Sequence, residues 1–135
     1  MQITKFTDYA YRALIYLAKN REELATVDKL AKYLQVSEHH MKKVIHKLAK
    51  TEYIISTKGR NGGLKLGIEP CNINLAKVLM ATDENLNLVE CMDNADLCPL
   101  MSSGCKLKGI FSKSLQSFIY ELSHYTLEDI LKLRR

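Results

Sequence analysis

The sequence has no tryptophan, only two prolines and no long apolar run in its 135 residues. A membrane-spanning helix needs about 20 consecutive apolar residues, and no segment reaches that length. The N-terminal segment MQITKFTDYAYR lacks the apolar core of a secretory signal. We therefore expect one small soluble domain in the cytoplasm.

Lysine and arginine are absent from residue 78 to residue 105, a stretch that holds five of the 15 acidic residues. Residues 1–68, in contrast, contain 13 Lys and Arg against 6 Asp and Glu, whereas residues 69–135 contain 7 against 9. A basic region suits a polyanion such as DNA, and an acidic segment does not. We predict a DNA-binding region at 1–68 and a second region at 69–135 within one compact unit.

Three short helices are predicted in the first region. Apolar residues recur every three or four positions after Thr7, Thr26 and Ser37, which are candidate N-caps. The second and third helices are separated by about three residues, the spacing of a helix-turn-helix. A cationic helix face is often exposed only to solvent. The third helix alone therefore does not decide between a solvated surface and a DNA-binding one. Its outward residues are His39, His40, Lys42, Lys43, His46, Lys47 and Lys50.

The segment YIISTKGRNGGLKLG has the alternation of a β-hairpin, with strands at 54–56 and 64–66. Its tip places Lys58, Arg60 and Asn61 among glycines, so a guanidinium can enter a narrow groove or contact phosphates. The glycine run lacks the Lys-Ser ending of a P-loop and does not open a helix, which excludes a nucleotide-binding loop. We predict a mainly α, winged helix-turn-helix fold. The predicted DNA contacts are Ser37, His39, His40, Lys43, Arg60 and Asn61.

The second region has one short helix capped by Asn74, a long apolar stripe and a last helix whose capping box pairs Thr126 with Asp129. The stripe is wide for one helix of a small chain, so we predict that part of it packs against a second subunit. A helix folded back on its own domain is the alternative. The stripe contains Leu107, Ile110, Phe111, Leu115, Phe118, Ile119 and Leu122.

Three cysteines, Cys91, Cys98 and Cys105, are each separated by six residues, and Cys71 lies 20 positions before the first. On a continuous helix they would be buried thiols, but the Asp, Asn, Pro, Ser and Gly residues between them favour a loop. Three thiols on a loop suit zinc or an iron–sulfur cluster, and the lack of C-x2-C pairs or a flanking histidine disfavours common zinc patterns. The remaining ligand stays open among Cys71, a histidine and a carboxylate.

The chain resembles the iron–sulfur winged-helix regulators of the Rrf type, in particular their nitric-oxide-sensing branch. The resemblance covers essentially the whole chain through TDYAYRALIYLA, SEHHMKKVIHKL, GRNGGLKLG, VECMDNADLCPLMSSGCKLKGIF and YTLEDIL. It implies that Cys91, Cys98 and Cys105 hold a cluster, of four irons rather than two, and that Asp8 of the partner subunit is the remaining ligand. Without the resemblance, Asp8 would be an ordinary first-turn aspartate. Cys71 has no counterpart in the pattern.

The resemblance implies a homodimeric transcriptional repressor that binds a palindromic operator and releases it when nitric oxide reacts with the cluster. A regulator of the same family that senses iron, cluster supply or redox state is the nearer alternative. A small iron–sulfur electron carrier is the distant one, and a basic winged region would serve it no purpose. No Ser/His/Asp arrangement, paired carboxylates or nucleotide motif indicates an enzyme.

Overall fold

The computed structural model describes residues 2–132, and of Ser102 and Ser103 only the backbone. It has the predicted mainly α architecture with one antiparallel hairpin. The elements are α1 Lys5–Lys19, α2 Val27–Leu34, α3 Glu38–Leu48, β1 Ile54–Thr57, β2 Gly63–Leu66, α4 Leu75–Thr82, α5 Leu107–Leu122 and α6 Leu127–Lys132. No helix within residues 2–132 is long and apolar enough to span a bilayer.

Helix α1 begins earlier than predicted. Its N-cap is Thr4, whose hydroxyl accepts a hydrogen bond from the backbone N–H of Thr7 at 3.3 Å. The prediction of Thr7 as the cap is therefore wrong. Thr7 is fully buried in the first turn, and its hydroxyl contacts Thr82 and Asp83 instead of capping the helix.

The predicted helix-turn-helix is present as α2 and α3. Thr26 caps α2 by accepting from the N–H of Lys29, and Ser37 caps α3 by accepting from the N–H of His40. Gln35 ends α2 with a φ of 57°, in the left-handed region. Because this turn is so short, α3 follows α2 at once and one apolar face of each helix reaches the common core. The fully buried side chains of that core include Leu14, Leu17, Leu30, Met41, Val44, Leu48 and Ile73.

Strands β1 and β2 form the predicted wing. Ile54 pairs with Leu66 and Thr57 with Gly63. The wing is joined to the helix-turn-helix, since Ala25 exchanges two backbone hydrogen bonds with Leu64 just before α2 begins. The wing is therefore connected directly to the start of the helix-turn-helix by backbone hydrogen bonds.

Helices α4 and α6 close the core on the other side of α1. Asn74 caps α4, as predicted, and Thr126 pairs with Asp129 through one half of the predicted capping box, with the N–H of Thr126 donating to the Asp129 carboxylate at 2.7 Å. Backbone hydrogen bonds from Leu75 to Tyr125 and from Leu127 to Ile73 hold the two helices together. Helix α5 differs from all of these, because none of its described residues is buried.

Candidate metal centre and nucleic-acid interface

The three evenly spaced cysteines lie on a loop, as predicted, and not on a continuous helix. Residues 83–106 connect α4 to α5 through short 3-10 turns at Glu90–Met92, Ala95–Leu97 and Pro99–Ser103. Cys91 lies in the first turn, Cys98 between the second and third, and Cys105 just after Gly104, whose φ is +79°. We call residues 83–106 the cysteine loop.

Cys91, Cys98 and Cys105 line one cavity of about 450 Å³. All three are free and half-buried, whereas Cys71 is exposed and lies outside this cavity. Most of the remaining wall is apolar, and among the described side chains its charged residues are Glu90 and Lys108. The wall consists of Leu88, Val89, Glu90, Leu100, Leu107, Lys108 and Phe111.

This donor set has the chemistry of a soft metal site, because thiolates are the protein ligands that iron–sulfur clusters and zinc share. Among residues 2–132, however, no three His, Cys, Asp or Glu side chains are close enough to hold one metal ion. The three thiols lie along the wall of one cavity. Cys91, Cys98 and Cys105 are the residues that would hold an iron–sulfur cluster or zinc here.

Hydrogen bonds within the cysteine loop fix the segment that carries Cys91. The carboxylate of Asp93 accepts from the amide of Asn85 at 3.0 Å and from the amide of Asn87 at 2.6 Å. The N–H of Leu88 also lies 3.3 Å from the sulfur of Met92. These contacts hold residues 85–93 together around the first 3-10 turn.

Asp8 lies on the first turn of α1 and not in the cysteine cavity of its own chain. It forms an ion pair with Arg12, with 2.8 Å between Oδ2 and the guanidinium, and about half of each side chain is exposed. Asp8 also lines a second depression with Tyr11 and with Phe118 of α5. One chain therefore does not bring Asp8 to the three thiols.

Helix α3 and the residues just after it expose lysines and histidines on the side opposite the apolar stripe. His39, Lys42, Lys43, His46 and Lys50 are exposed. Lys47 forms an ion pair with Glu84, with 3.9 Å between Nζ and Oε1. Within residues 2–132, the other lysines on this helix and just after it form none. The face is therefore available to an anionic partner.

His40 differs from the other predicted contacts on α3, because it is half-buried. Its imidazole lies against Tyr9, with ring centroids 4.8 Å apart, and near Phe6 at 6.3 Å. Ser37 is exposed, but its hydroxyl already accepts the capping hydrogen bond. His39 and Lys43 are the predicted contacts on α3 with no such structural task.

The wing tip exposes Lys58, Arg60 and Asn61 as predicted. The turn depends on glycine, since Gly59 has a φ of +109°. A Cβ on Gly62 would lie 2.1 Å from the carbonyl oxygen of Thr57. The tip is therefore narrow, with its basic side chains unobstructed by bulky neighbours.

The acidic segment also contains a buried carboxylate that the sequence analysis did not single out. Asp83 is 6% exposed, and its Oδ2 accepts hydrogen bonds from Thr4 and Thr7 at the start of α1. The only available signal was its position directly after the predicted end of α4. In sequence it is indistinguishable from the exposed Glu84 beside it.

Comparison with known proteins assigns the chain to a family. The model of the Rrf2 family, described as an iron-dependent transcriptional regulator, matches residues 3–133. The HTH-type transcriptional regulator NsrR of Oceanobacillus iheyensis is 38% identical over 133 residues, which is 98% of this chain and 90% of that protein. NsrR of Bacillus subtilis is also 38% identical, over 98% of this chain and 91% of its own.

Solved structures share the fold at lower identity. IscR of T. potens has a TM-score of 0.77 at 22% identity, covering 98% of this chain and 87% of its own. CymR, the global cysteine regulator of B. subtilis, has a TM-score of 0.76 at 20% identity, covering 100% and 99%. Together with the match across residues 3–133, these similarities show that the chain belongs to the Rrf2 family of transcriptional regulators.

Proposed function

We propose that this regulator is a homodimeric repressor that senses nitric oxide through an iron–sulfur cluster held in the cysteine cavity. The observation that carries the proposal is the convergence of Cys91, Cys98 and Cys105 on one largely apolar cavity. The relatives that are 38% identical are named HTH-type transcriptional regulators, which supports the regulatory part of this function. The cluster supplies iron that reacts with nitric oxide.

DNA binding uses α3 and the wing. The N-terminal part of α3 enters the major groove, where His39 and Lys43 contact bases or phosphates and the Ser37 cap fixes the helix start. His40 lies at the edge of this surface. Arg60 and Asn61 extend from the wing tip toward the minor groove or its phosphates.

Dimerisation uses α5. None of the 16 residues of this helix is buried within its own chain. Two of its apolar side chains are largely exposed, Leu107 at 53% and Ile110 at 59%. Exposed apolar residues on one long helix are expected at a subunit interface. A two-fold axis along α5 places two α3 helices against the half-sites of a palindromic operator.

The remaining iron ligand is Asp8 of the partner subunit. Within one chain Asp8 lies outside the cysteine cavity but borders α5 through Phe118. Since Leu107 and Phe111 of α5 line that cavity, α5 connects the thiols of one subunit to the interface. A carboxylate binds cluster iron less tightly than a thiolate, so its iron is the most open to a diatomic molecule.

The test is anaerobic and follows metal and DNA together. Iron and sulfide are measured per chain, and the visible absorption is recorded during nitric oxide addition. The DNA is a labelled duplex selected from a random library with the iron-loaded protein. We expect the visible absorption to collapse as the duplex is released.

Each of the other outcomes contradicts a different part of the proposed function. A stable iron-loaded protein that ignores nitric oxide favours a sensor of iron, cluster supply or redox state. Zinc alone, or no metal after anaerobic reconstitution, contradicts a cluster in the cysteine cavity. Nitric oxide that destroys the absorption while the duplex stays bound contradicts the repressor mechanism.

A further inference from the structure

Asp83 is a buried carboxylate at the point where α4 ends and the cysteine loop begins. Three hydrogen bonds converge on its Oδ2, from the N–H and hydroxyl of Thr4 at 3.3 and 3.2 Å and from the hydroxyl of Thr7 at 3.4 Å. Inside residues 2–132 no lysine or arginine forms an ion pair with it. A buried charge is costly unless hydrogen-bonded, so Asp83 depends on the start of α1 for its stabilisation.

The same first turn of α1 also contacts α3. Phe6 and Tyr9 lie against His40, two residues into α3. A cavity of about 380 Å³ is lined by Phe6, by Lys47 of α3 and by Asp83. The start of the cysteine loop and the DNA-binding helix therefore meet at one short segment, Thr4 to Tyr9.

We propose that Asp83 is a positioning residue that couples the cysteine loop to α3 through the first turn of α1. The inference rests on the proposed function, since it names the path by which a change at the thiols alters DNA binding. Because its hydrogen bonds converge on one oxygen, moving Asp83 removes the partner of three donors at once. The turn that supports His40 is then free to move, and α3 changes its placement.

Glu84 provides the matched control. It is adjacent to Asp83 and carries the same charge, but its side chain is 89% exposed and contacts Lys47 only at 3.9 Å. An exposed pair of this kind contributes little to stability. Asp83→Asn and Glu84→Gln therefore make the same charge change one position apart, and only the first removes the convergent carboxylate.

The full-length protein is prepared in iron-loaded and iron-stripped forms for both variants. Affinity for the selected duplex is measured in each form, together with the melting temperature. Hydrogen exchange of α1 and α3 is followed in the iron-stripped form. We expect Asp83→Asn to reduce the affinity ratio between the two forms by about fivefold or more and to speed exchange in α3. Glu84→Gln is expected to keep the affinity ratio and the exchange rate of α3 close to those of wild type.

A purely structural role gives a different result. An Asp83→Asn protein that melts lower but keeps the wild-type affinity ratio overturns the coupling, as does unchanged exchange in α3. If Asp83→Asn does not fold, Thr7→Ala removes one of the three donors and Thr7→Ser retains it. A reduced ratio in Thr7→Ala alone supports the proposal, and equal ratios overturn it.

The wild-type protein separates this inference from the proposed function. Equal wild-type affinities in the iron-loaded and iron-stripped forms contradict the proposed function, and they remove the coupling with it. A normal wild-type ratio that Asp83→Asn does not alter contradicts the coupling alone.

Discussion

The imidazole of His40 on α3 stands edge-on to the phenol ring of Tyr9 on α1, with ring centroids 4.8 Å apart and planes at 72°. Pairs with this geometry contribute about 0.5–1.5 kcal/mol beyond the area they bury. Arg12, the ion-pair partner of Asp8, lies over the Tyr9 ring, 5.3 Å from its centre. The proposed iron ligand and the DNA-binding helix are therefore joined through Tyr9.

His40→Ala is expected to lower the free energy of unfolding by about 1 kcal/mol, because the contact between α1 and α3 is lost. His39→Ala is the control, since His39 is exposed on the same turn, and it changes that free energy by less than about 0.5 kcal/mol. Urea unfolding of the iron-stripped protein measures both. Equal stability of the two variants would show that the rings do not support α3.

Arg60→Ala is expected to weaken binding of the selected duplex and to leave iron and sulfide content unchanged. Arg60 is exposed at the narrow wing tip, far in sequence from the cysteine loop. If the guanidinium contacts a phosphate, the slope of log affinity against log salt falls by about one. Lys77→Ala, an exposed cation on α4, is the control and keeps the wild-type slope. If Arg60→Ala binds the duplex with wild-type affinity and salt dependence, the wing does not contact DNA through Arg60.

The helix-turn-helix and the wing could be predicted from the sequence because their signals are local. Thr26, Ser37 and Asn74 cap the helices that they precede, and the alternating residues around the glycine tip pair as a hairpin. Residue type does not distinguish Thr4 from Thr7 as the N-cap of α1, since both are threonines. Which of the two caps α1 depends on Asp83, a partner 76 positions away from Thr7.

The tertiary contacts of individual polar residues could not be predicted from the sequence. His40 belongs to the outward side of α3 by its position, yet it packs on rings of α1. Asp83 belongs to an acidic loop by composition, yet it is buried at a helix start. The three thiols are the exception, because the loop-forming residues between them predict that they can surround one small group, and all three line one cavity.

Cys98→Ala is expected to lower iron and sulfide per chain, because it removes one of the three thiols that line the cysteine cavity. Cys71→Ala is the matched control, since Cys71 is exposed and lies outside that cavity. Anaerobic reconstitution followed by iron and sulfide analysis compares the two. Loss of metal in Cys71→Ala would mean that Cys71 is a ligand, and the assignment of Asp8 would then fail.

Ile110→Lys is expected to shift the protein from dimer toward monomer, because a charge then replaces an apolar side chain that is 59% exposed on α5. Gln116→Lys adds the same charge at an exposed polar position of α5 and leaves the dimer intact. Sedimentation velocity over a range of concentrations measures the change. A dimer of unchanged stability in Ile110→Lys would place the interface elsewhere.

Tyr11 links α1 to α4, and this link is expected to weaken at alkaline pH. Its hydroxyl donates to the carbonyl oxygen of Leu75 at 2.6 Å. Burial, with a smaller effect from the negative charge of Asp83, raises the pKa of Tyr11 from 10.0 to about 12. Because the pKa is higher in the folded state, the stabilisation is complete below pH 10.0 and is lost as the pH rises to about 12.

Tyr11→Phe removes the hydroxyl, so the free energy of unfolding at pH 8 is expected to fall by about 1 kcal/mol. Between about pH 10 and pH 12 the variant should lose less stability than wild type, because one group that resists ionisation in the folded state is gone. Urea unfolding at a series of pH values gives both curves. Tyr33→Phe, at a residue 71% exposed, controls for the loss of a phenol and should follow wild type. Equal stability of Tyr11→Phe and wild type at pH 8 would show that the hydroxyl at Leu75 does not stabilise the junction of α1 and α4, and parallel curves above pH 10 would show that folding does not raise the pKa of Tyr11.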